Sequence, residues 1–258
     1  MNVDSYLRRL VEANAPYWGG EAEVARHYFT SNRRTQENDR IWLERQMYKE
    51  LWDGFVPPLE NKVVNFHLLE DSVTRSDLLA AAEMLYEELA HYCAFADVYE
   101  QLIDGDGSMP NPATLKTRGQ WAENLQLMEL RAAHKATYGD LGTRAHAFTE
   151  GGYCTLYSEG MKLQGRGGID DMIAEACASV YDDEFDHMLL GIKEVGSGLA
   201  PEDWAILTDL TVEQMRYRIR MRNAQFGFPV DPRREGELCA GKADPMAFDY
   251  ARAGLAPG

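Results

Sequence analysis

Cysteine is scarce: four in 258 residues, at Cys93, Cys154, Cys177 and Cys239. None forms a Cys-x-x-Cys pair, which excludes a zinc ribbon or a rubredoxin-type iron centre within the chain and leaves reduced thiols in a cytoplasmic protein as the expectation. No apolar run approaches the roughly 20 residues that span a bilayer, so a membrane is not expected as a partner. The opening residues, Met1-Asn2-Val3-Asp4-Ser5, lack a basic stretch followed by an apolar one, and no secretory signal is expected. Basic residues are also few, 26 against 42 acidic, for a formal net charge of −16. Such a surface repels phosphate backbones and argues against general nucleic-acid binding. Long alternation of apolar and polar residues is missing too, which argues against sheet.

What is present reads as helix, in one domain over 1–258. A short helix is expected over 4–13, stopping before Pro16. Another starts after Gly19-Gly20 and runs, with a break near Thr30-Ser31, to about Trp52, its second half placing Glu37, Ile41, Glu44, Tyr48, Leu51 and Phe55 on one face, and Gly54 with Pro57-Pro58 ends it. Residues 55–72 read as a connection and 104–119 as a loop. Further helices are expected over 73–103, 120–138, 141–164, 169–195 and 201–226, with Pro201 in the first turn, and 227–258 as an irregular tail.

Two of these helices carry Glu-x-x-His: Glu88-Leu89-Ala90-His91 and Glu184-Phe185-Asp186-His187. Residues i and i+3 are neighbours on a helix, so each pair can offer a carboxylate oxygen and an imidazole nitrogen to one metal ion. With 23 Glu and 6 His in the chain, about 0.5 such pairs would arise by chance, so context has to carry the signal. Both pairs lie mid-helix, and each follows a helix with a glutamate at matching depth. Glu150 lies about 15 residues before the turn at Gly165 and Glu184 about 16 after the same turn, level in an antiparallel hairpin at 1.5 Å per residue. Glu159 is out of level. In the first half Glu37, Glu44 and Glu50 compete. A faint internal repeat, Glu44 with Asp53-Gly54 matching Glu150 with Glu159-Gly160, places Glu44 first, Glu37 second and Glu50 third.

With these residues the chain resembles the ferritin-like di-iron carboxylate proteins, whose pattern is one Glu from each of two helices and Glu-x-x-His from each of two others. The resemblance covers about 37–190. It implies an antiparallel four-helix bundle at about 37–195, with extra N-terminal, crossover and C-terminal helices and a C-terminal helix and tail over 200–258. By position it implies metal ligands Glu44, Glu88, His91, Glu150, Glu184 and His187. Four carboxylates and two neutral imidazoles match two divalent ions, and the mixed oxygen and nitrogen set suits iron or manganese. The function implied is an oxygenase or oxidase that uses two iron ions, or manganese in their place, and O2 to oxidise a small organic substrate. Its electrons come from an external donor or from the substrate, and a homodimer is compatible with it. Its rivals are a ferroxidase or iron-storage protein and a non-catalytic helical partner subunit.

Around this set, Asp183 and Glu87 are placed to accept hydrogen bonds from the outer histidine nitrogens. His146, one turn before Glu150, reads as a seventh ligand, an outer partner or a core histidine. Tyr48, Cys154 and Gly151 are candidates for a pocket wall or for simple packing. Trp42, Tyr92, Phe95, Phe148, Tyr153 and Phe185 are candidates for the same wall. Arg216, Arg218, Arg220 and Arg222 read either as a solvated face near a helix C-terminus or as an anion-recognition patch.

Overall fold

The computed structural model describes residues 3–64, 73–103, 109–195 and 198–254, and among these every regular element is helical. The chain opens with α1 (Val3–Thr30), then α2 (Gln36–Tyr48), which passes into a π-helical stretch (Lys49–Phe55), the single turn α3 (Val56–Pro58) and a second π-helical stretch (Leu59–Val64). After it come α4 (Arg75–Leu102), α5 (Pro112–Arg118), α6 (Ala122–Tyr138), α7 (Asp140–Thr149), α8 (Thr155–Gly160), α9 (Ile169–Val195), α10 (Pro201–Gln225) and α11 (Pro232–Cys239).

Local chemistry sets many of the starts. Thr35 caps α2, Thr74 and Asp77 form a reciprocal capping box on α4, and Asn111 and Asp231 cap α5 and α11 with their side chains. Pro112, Pro201 and Pro232 occupy the first turns of their helices, where the missing N–H costs nothing.

Four expectations are corrected. First, Pro16 does not stop a helix; α1 runs through it. An interior proline costs about 3 kcal/mol, but α1 buries Leu7, Leu10, Val11, Trp18, Val24, Ala25 and Tyr28, an apolar stripe that outweighs it. Gly19 permits close packing at this point, because a Cβ there would strike the Asp244 carbonyl, and the neighbouring Met246 N–H donates to Ala15 O at 3.0 Å. Second, Gly54 and Pro57-Pro58 do not end the second helix; the chain continues in helical turns to Val64. Residues 65–72 of the expected connection, and 104–108 of the expected loop, lie outside the described residues, and the rest of that loop is not irregular throughout, because Asn111 and Pro112 start α5 within it. Third, 141–164 is not one helix. It breaks after Thr149 into a 3₁₀ turn, Glu150–Gly152, and then through Tyr153 and Cys154, both at positive φ (56° and 54°). Fourth, the tail is not irregular throughout: it forms α11, and Phe248 then packs against Trp18 and Tyr153.

The helices that carry the Glu-x-x-His pairs, α4 and α9, pack together. His91 meets Asp183 and His187 meets Glu87, so the two run antiparallel. α2 packs along α4, and α7 and α8 along α9. α10 lies against α1, α6 and α7, parallel to α1, as Asn14–Thr211 and Glu21–Arg218 contacts show.

Candidate metal centre

Glu88 and His91 face inward from α4 and Glu184 from α9, with exposures of 9%, 1% and 6%. Ligand atoms of Glu50, His91 and Glu184 all lie within 4.8 Å of one another. Together with Glu150 and His146, these carboxylates line one cavity of about 40 Å³. Glu150 stands where the cavity meets solvent: its surface is open on one side, while protein atoms crowd the rest.

The outer faces of the two histidines are held in mirror fashion. His91 Nε2 lies 3.1 Å from Asp183 Oδ2, and His187 Nε2 lies 3.0 Å from Glu87 Oε2. Each expected outer acid is thus in place, and each serves the histidine of the opposite helix. With Nε2 engaged as donor, Nδ1 of each ring is left as the lone-pair nitrogen. His187 Nδ1 lies 4.0 Å from Glu88 Oε1. His91 Nδ1 and Glu184 Oε2 are buried with no hydrogen-bond partner. Orphaned buried acceptors of this kind are uncommon and call for an unseen partner.

Glu44, placed first from the sequence, is not here. It lies in a separate surface groove, where it accepts hydrogen bonds from Tyr99 and Arg118. Glu37 lines the same groove, with 74% of its side chain exposed. Glu50, placed third, is the glutamate that enters the cavity, 3% exposed, from the first turn of the π-helical stretch. The heptad face through Glu44 and Tyr48 packs toward α5 and Gly119 instead. Single π turns are recurrent at functional sites because they rotate the following side chains off the α-helical face. Gly54, one turn on, has no room for a side chain: a Cβ would strike the Glu88 carboxylate.

The other expected neighbours divide. His146 lines the cavity, as expected. Tyr48 does not; its hydroxyl accepts from Gln120 and its ring meets Trp121. Cys154 is buried at the helix break with its thiol near the Tyr181 carbonyl, and Gly151 belongs to the 3₁₀ turn. The aromatic candidates form core contacts: Trp42 with Phe95, Phe148 with Trp18, and Tyr153 with Phe185. Tyr157, which the sequence did not single out, is the aromatic residue at the cavity. Its hydroxyl lies 3.1 Å from Glu50 Oε1 and 3.5 Å from Glu184 Oε1. Burial, then the fields of Glu50 and Glu184, push its pKa well up, so it remains a donor. Glu159, rejected as out of level, is spent on Arg26 and Lys162 at 2.7 and 2.8 Å.

The arginine cluster is split by its helical spacing. Arg218 and Arg222, one turn apart, are 1% and 2% exposed and both reach Glu21, at 2.9 and 3.1 Å. Arg216 and Arg220 face solvent. Neither sequence reading anticipated a buried pair. Arg222 also donates to Gln46, which in turn donates to Glu50, so the ion pair is tied to the carboxylates.

Electrostatics mark the site. Burial, then Glu184, Glu50 and Glu150, push the Glu88 carboxyl up to about 10. Burial and Glu50 raise Glu184 as well. Burial works against ionisation of Glu150, but His146, Arg131, His187 and Lys49 outweigh it and hold that carboxyl below its ordinary value. Arg131 and burial push His146 down to about 4, so its imidazole is neutral.

These directions predict how the metal-free protein responds to pH. Folded Glu88 keeps its proton, whereas the unfolded chain releases it above its ordinary 4.5. The resulting stability is complete below that value and drains as pH rises toward 10. The maximum slope is about 1.4 kcal/mol per pH unit for one proton. The lowered Glu21 and Glu150 act in the opposite sense only as pH falls through their own range below 4.5, and the lowered His146 opposes the loss between about 4 and its ordinary 6.5. Urea unfolding of metal-free protein is therefore expected to lose on the order of 1 kcal/mol per pH unit between pH 7 and 9, and Glu88→Gln to flatten the slope. A flat profile in the parent protein would contradict the gathering of carboxylates.

Comparison of the chain with family models, with curated proteins and with solved structures finds no match in any of the three.

Proposed function

We propose that the chain is a ferritin-like di-metal carboxylate protein that uses O2 to oxidise a small organic substrate, with two iron ions, or manganese in their place, as its cofactor. The observation that carries the reading is the pair of inward histidines, His91 and His187, each fixed from behind by a carboxylate of the facing helix and set among buried glutamates. A metal fits these residues. The orphaned His91 Nδ1 and Glu184 Oε2 are the atoms a cation would satisfy, and a hard oxygen and imidazole set is the donor chemistry of iron and manganese. Glu50, Glu88, His91, Glu150, Glu184 and His187 would hold the ions, with His146 beside them. When bound, the pair would supply the electrons for O2 activation.

The chain's own residues do the rest. Asp183 and Glu87 fix the tautomer and aim of the histidines. Tyr157 donates to Glu50 and limits how that carboxylate swings. Phe95 stacks on Tyr157 and Trp42 packs behind it, so apolar bulk backs the tyrosine at the cavity. An external reductant, or the substrate itself, would restore the electrons that the pair gives up.

The test is metal content, followed by O2 uptake. Two ions per chain are expected, with loss in His91→Ala and His187→Ala, and the reduced iron-loaded protein is expected to consume O2. Uptake that scales with many added irons per chain and yields mineral would point to iron storage. A protein that holds no metal would end the reading.

A further inference from the structure

The cavity beside the glutamates is walled by cations as well as acids. Lys49, Arg131, Arg218 and Arg222 line it together with Asp53 and the four glutamates. Arg218 and Arg222 are spent on Glu21. Lys49 and Arg131 are not: among the described residues neither has an ion pair within 4.0 Å. Arg131 is 8% exposed, and its Nε is buried without any hydrogen-bond partner. Its Nη2 reaches only Thr149, at 3.2 Å to Oγ1 and 3.4 Å to the carbonyl. Glu150 and Asp53 act on Arg131 through their fields without pairing to it. A buried guanidinium with an idle N–H is costly unless something arrives to accept it.

Charge counting says what that something is. On the di-metal reading above, on which this step rests, two divalent ions cancel Glu50, Glu88, Glu150 and Glu184. Among the groups that line the cavity or pair with its walls, Glu21 and Asp53 then face four cations, which leaves two positive charges over; Asp183 and Glu87, on the outer faces of the histidines, are 39% and 35% exposed and screened by water. A low-dielectric cavity with that surplus favours an anion. Size narrows the choice. The cavity of about 40 Å³ is room for about three waters at roughly 10–15 Å³ each, and bound ions would share that space, so the flat three-atom head of a carboxylate fits beside them better than the five atoms of a phosphate.

We propose that the substrate carries a carboxylate and that Arg131 and Lys49 bind it in this cavity, beside the metal ligands. The head group enters on the side where Glu150 meets solvent, and the remainder of the molecule stays outside.

Metal-free protein is loaded with Mn²⁺, its metal content is measured, and it is titrated calorimetrically with acetate, acetamide and inorganic phosphate. Acetate is expected to bind. Acetamide, the same shape without charge, is expected not to. Arg131→Gln and Lys49→Met are each expected to weaken acetate about 10- to 100-fold, the loss of one charge-assisted hydrogen bond, with two ions per chain retained. Arg131→Lys should recover part of the loss. If Arg131→Gln fails to fold, Lys49→Met decides alone. No acetate binding by fully loaded protein would overturn the proposal and leave the di-metal reading standing. So would variants that bind acetate as tightly as the parent, since acetate would then sit on the metal alone, or phosphate binding more tightly than acetate. Absence of bound metal, seen before any acetate is added, would remove both.

Discussion

Glu50→Ala is expected to lower the affinity for divalent metal by more than roughly 100-fold, and Glu44→Ala to leave it unchanged. Loss of an outer partner of a metal ligand typically costs 10- to 100-fold, so loss of a direct ligand should exceed that. Glu50 shares ligand distance with His91 and Glu184, whereas Glu44 is engaged by Tyr99 and Arg118 in a different groove. Competition against a chromogenic chelator measures both variants. The same substitution should have an opposite effect without metal. Glu50 is one of the charges that raise Glu88 and Glu184, so Glu50→Gln should stabilise the metal-free protein while it empties the site. A Glu44→Ala protein without metal, beside a loaded Glu50→Ala protein, would mean that the helix presents its Glu44 face, and not its Glu50 face, to the cavity.

The sequence misassigned the residue through its choice of helix face. Six positions separate Glu44 from Glu50, about 240° around an α-helix, so the two cannot share a face. The choice of Glu44 rested on a heptad of partly apolar residues that packs against α5. A better signal was available: Trp42, Leu43, Gln46, Met47 and Glu50 form the buried stripe. Spacing agreed with it. Glu50 to Glu88 is 38 residues, closer to the 34 between Glu150 and Glu184 than is the 44 from Glu44.

The two Glu-x-x-His pairs and their outer acids were legible because i,i+3 neighbours on a helix need no tertiary information. Which helix Asp183 and Glu87 serve needs the packing of α4 on α9. The break at Tyr153-Cys154 was hidden because neither residue favours positive φ, although Gly151-Gly152 beside it marks a site of easy departure from helix. Arg131, Lys49 and Tyr157 belong to no motif. Their role comes from elements distant in sequence, and only the fold brings them to one cavity.

The buried pair behind the carboxylates supports the second large effect. Glu21→Ala is expected to destabilise the protein by about 3–5 kcal/mol, the cost of leaving buried charge unpaired. Glu21 is fully buried, and two arginines depend on it. Among the described residues Arg218 has no other hydrogen-bonding side-chain partner, whereas Arg222 retains Gln46 and Gln225. The site is closed tightly around them: Gly152, at φ 54°, has no room for a Cβ over the Glu21–Arg218 contact. Glu21→Gln keeps the size and an acceptor oxygen but loses the charge, so it should cost less than Glu21→Ala. Urea unfolding with metal bound and with metal removed separates two consequences. The first is the uncompensated charge, present in both. The second is the loss of the Arg222–Gln46–Glu50 chain, which should lower metal affinity, by about the 10- to 100-fold of an outer partner, and so narrow the gap in stability between metal-bound and metal-free protein. A loss below 1 kcal/mol would show that water reaches the arginines once Glu21 is gone, and that the charge behind the cavity is not sealed from solvent.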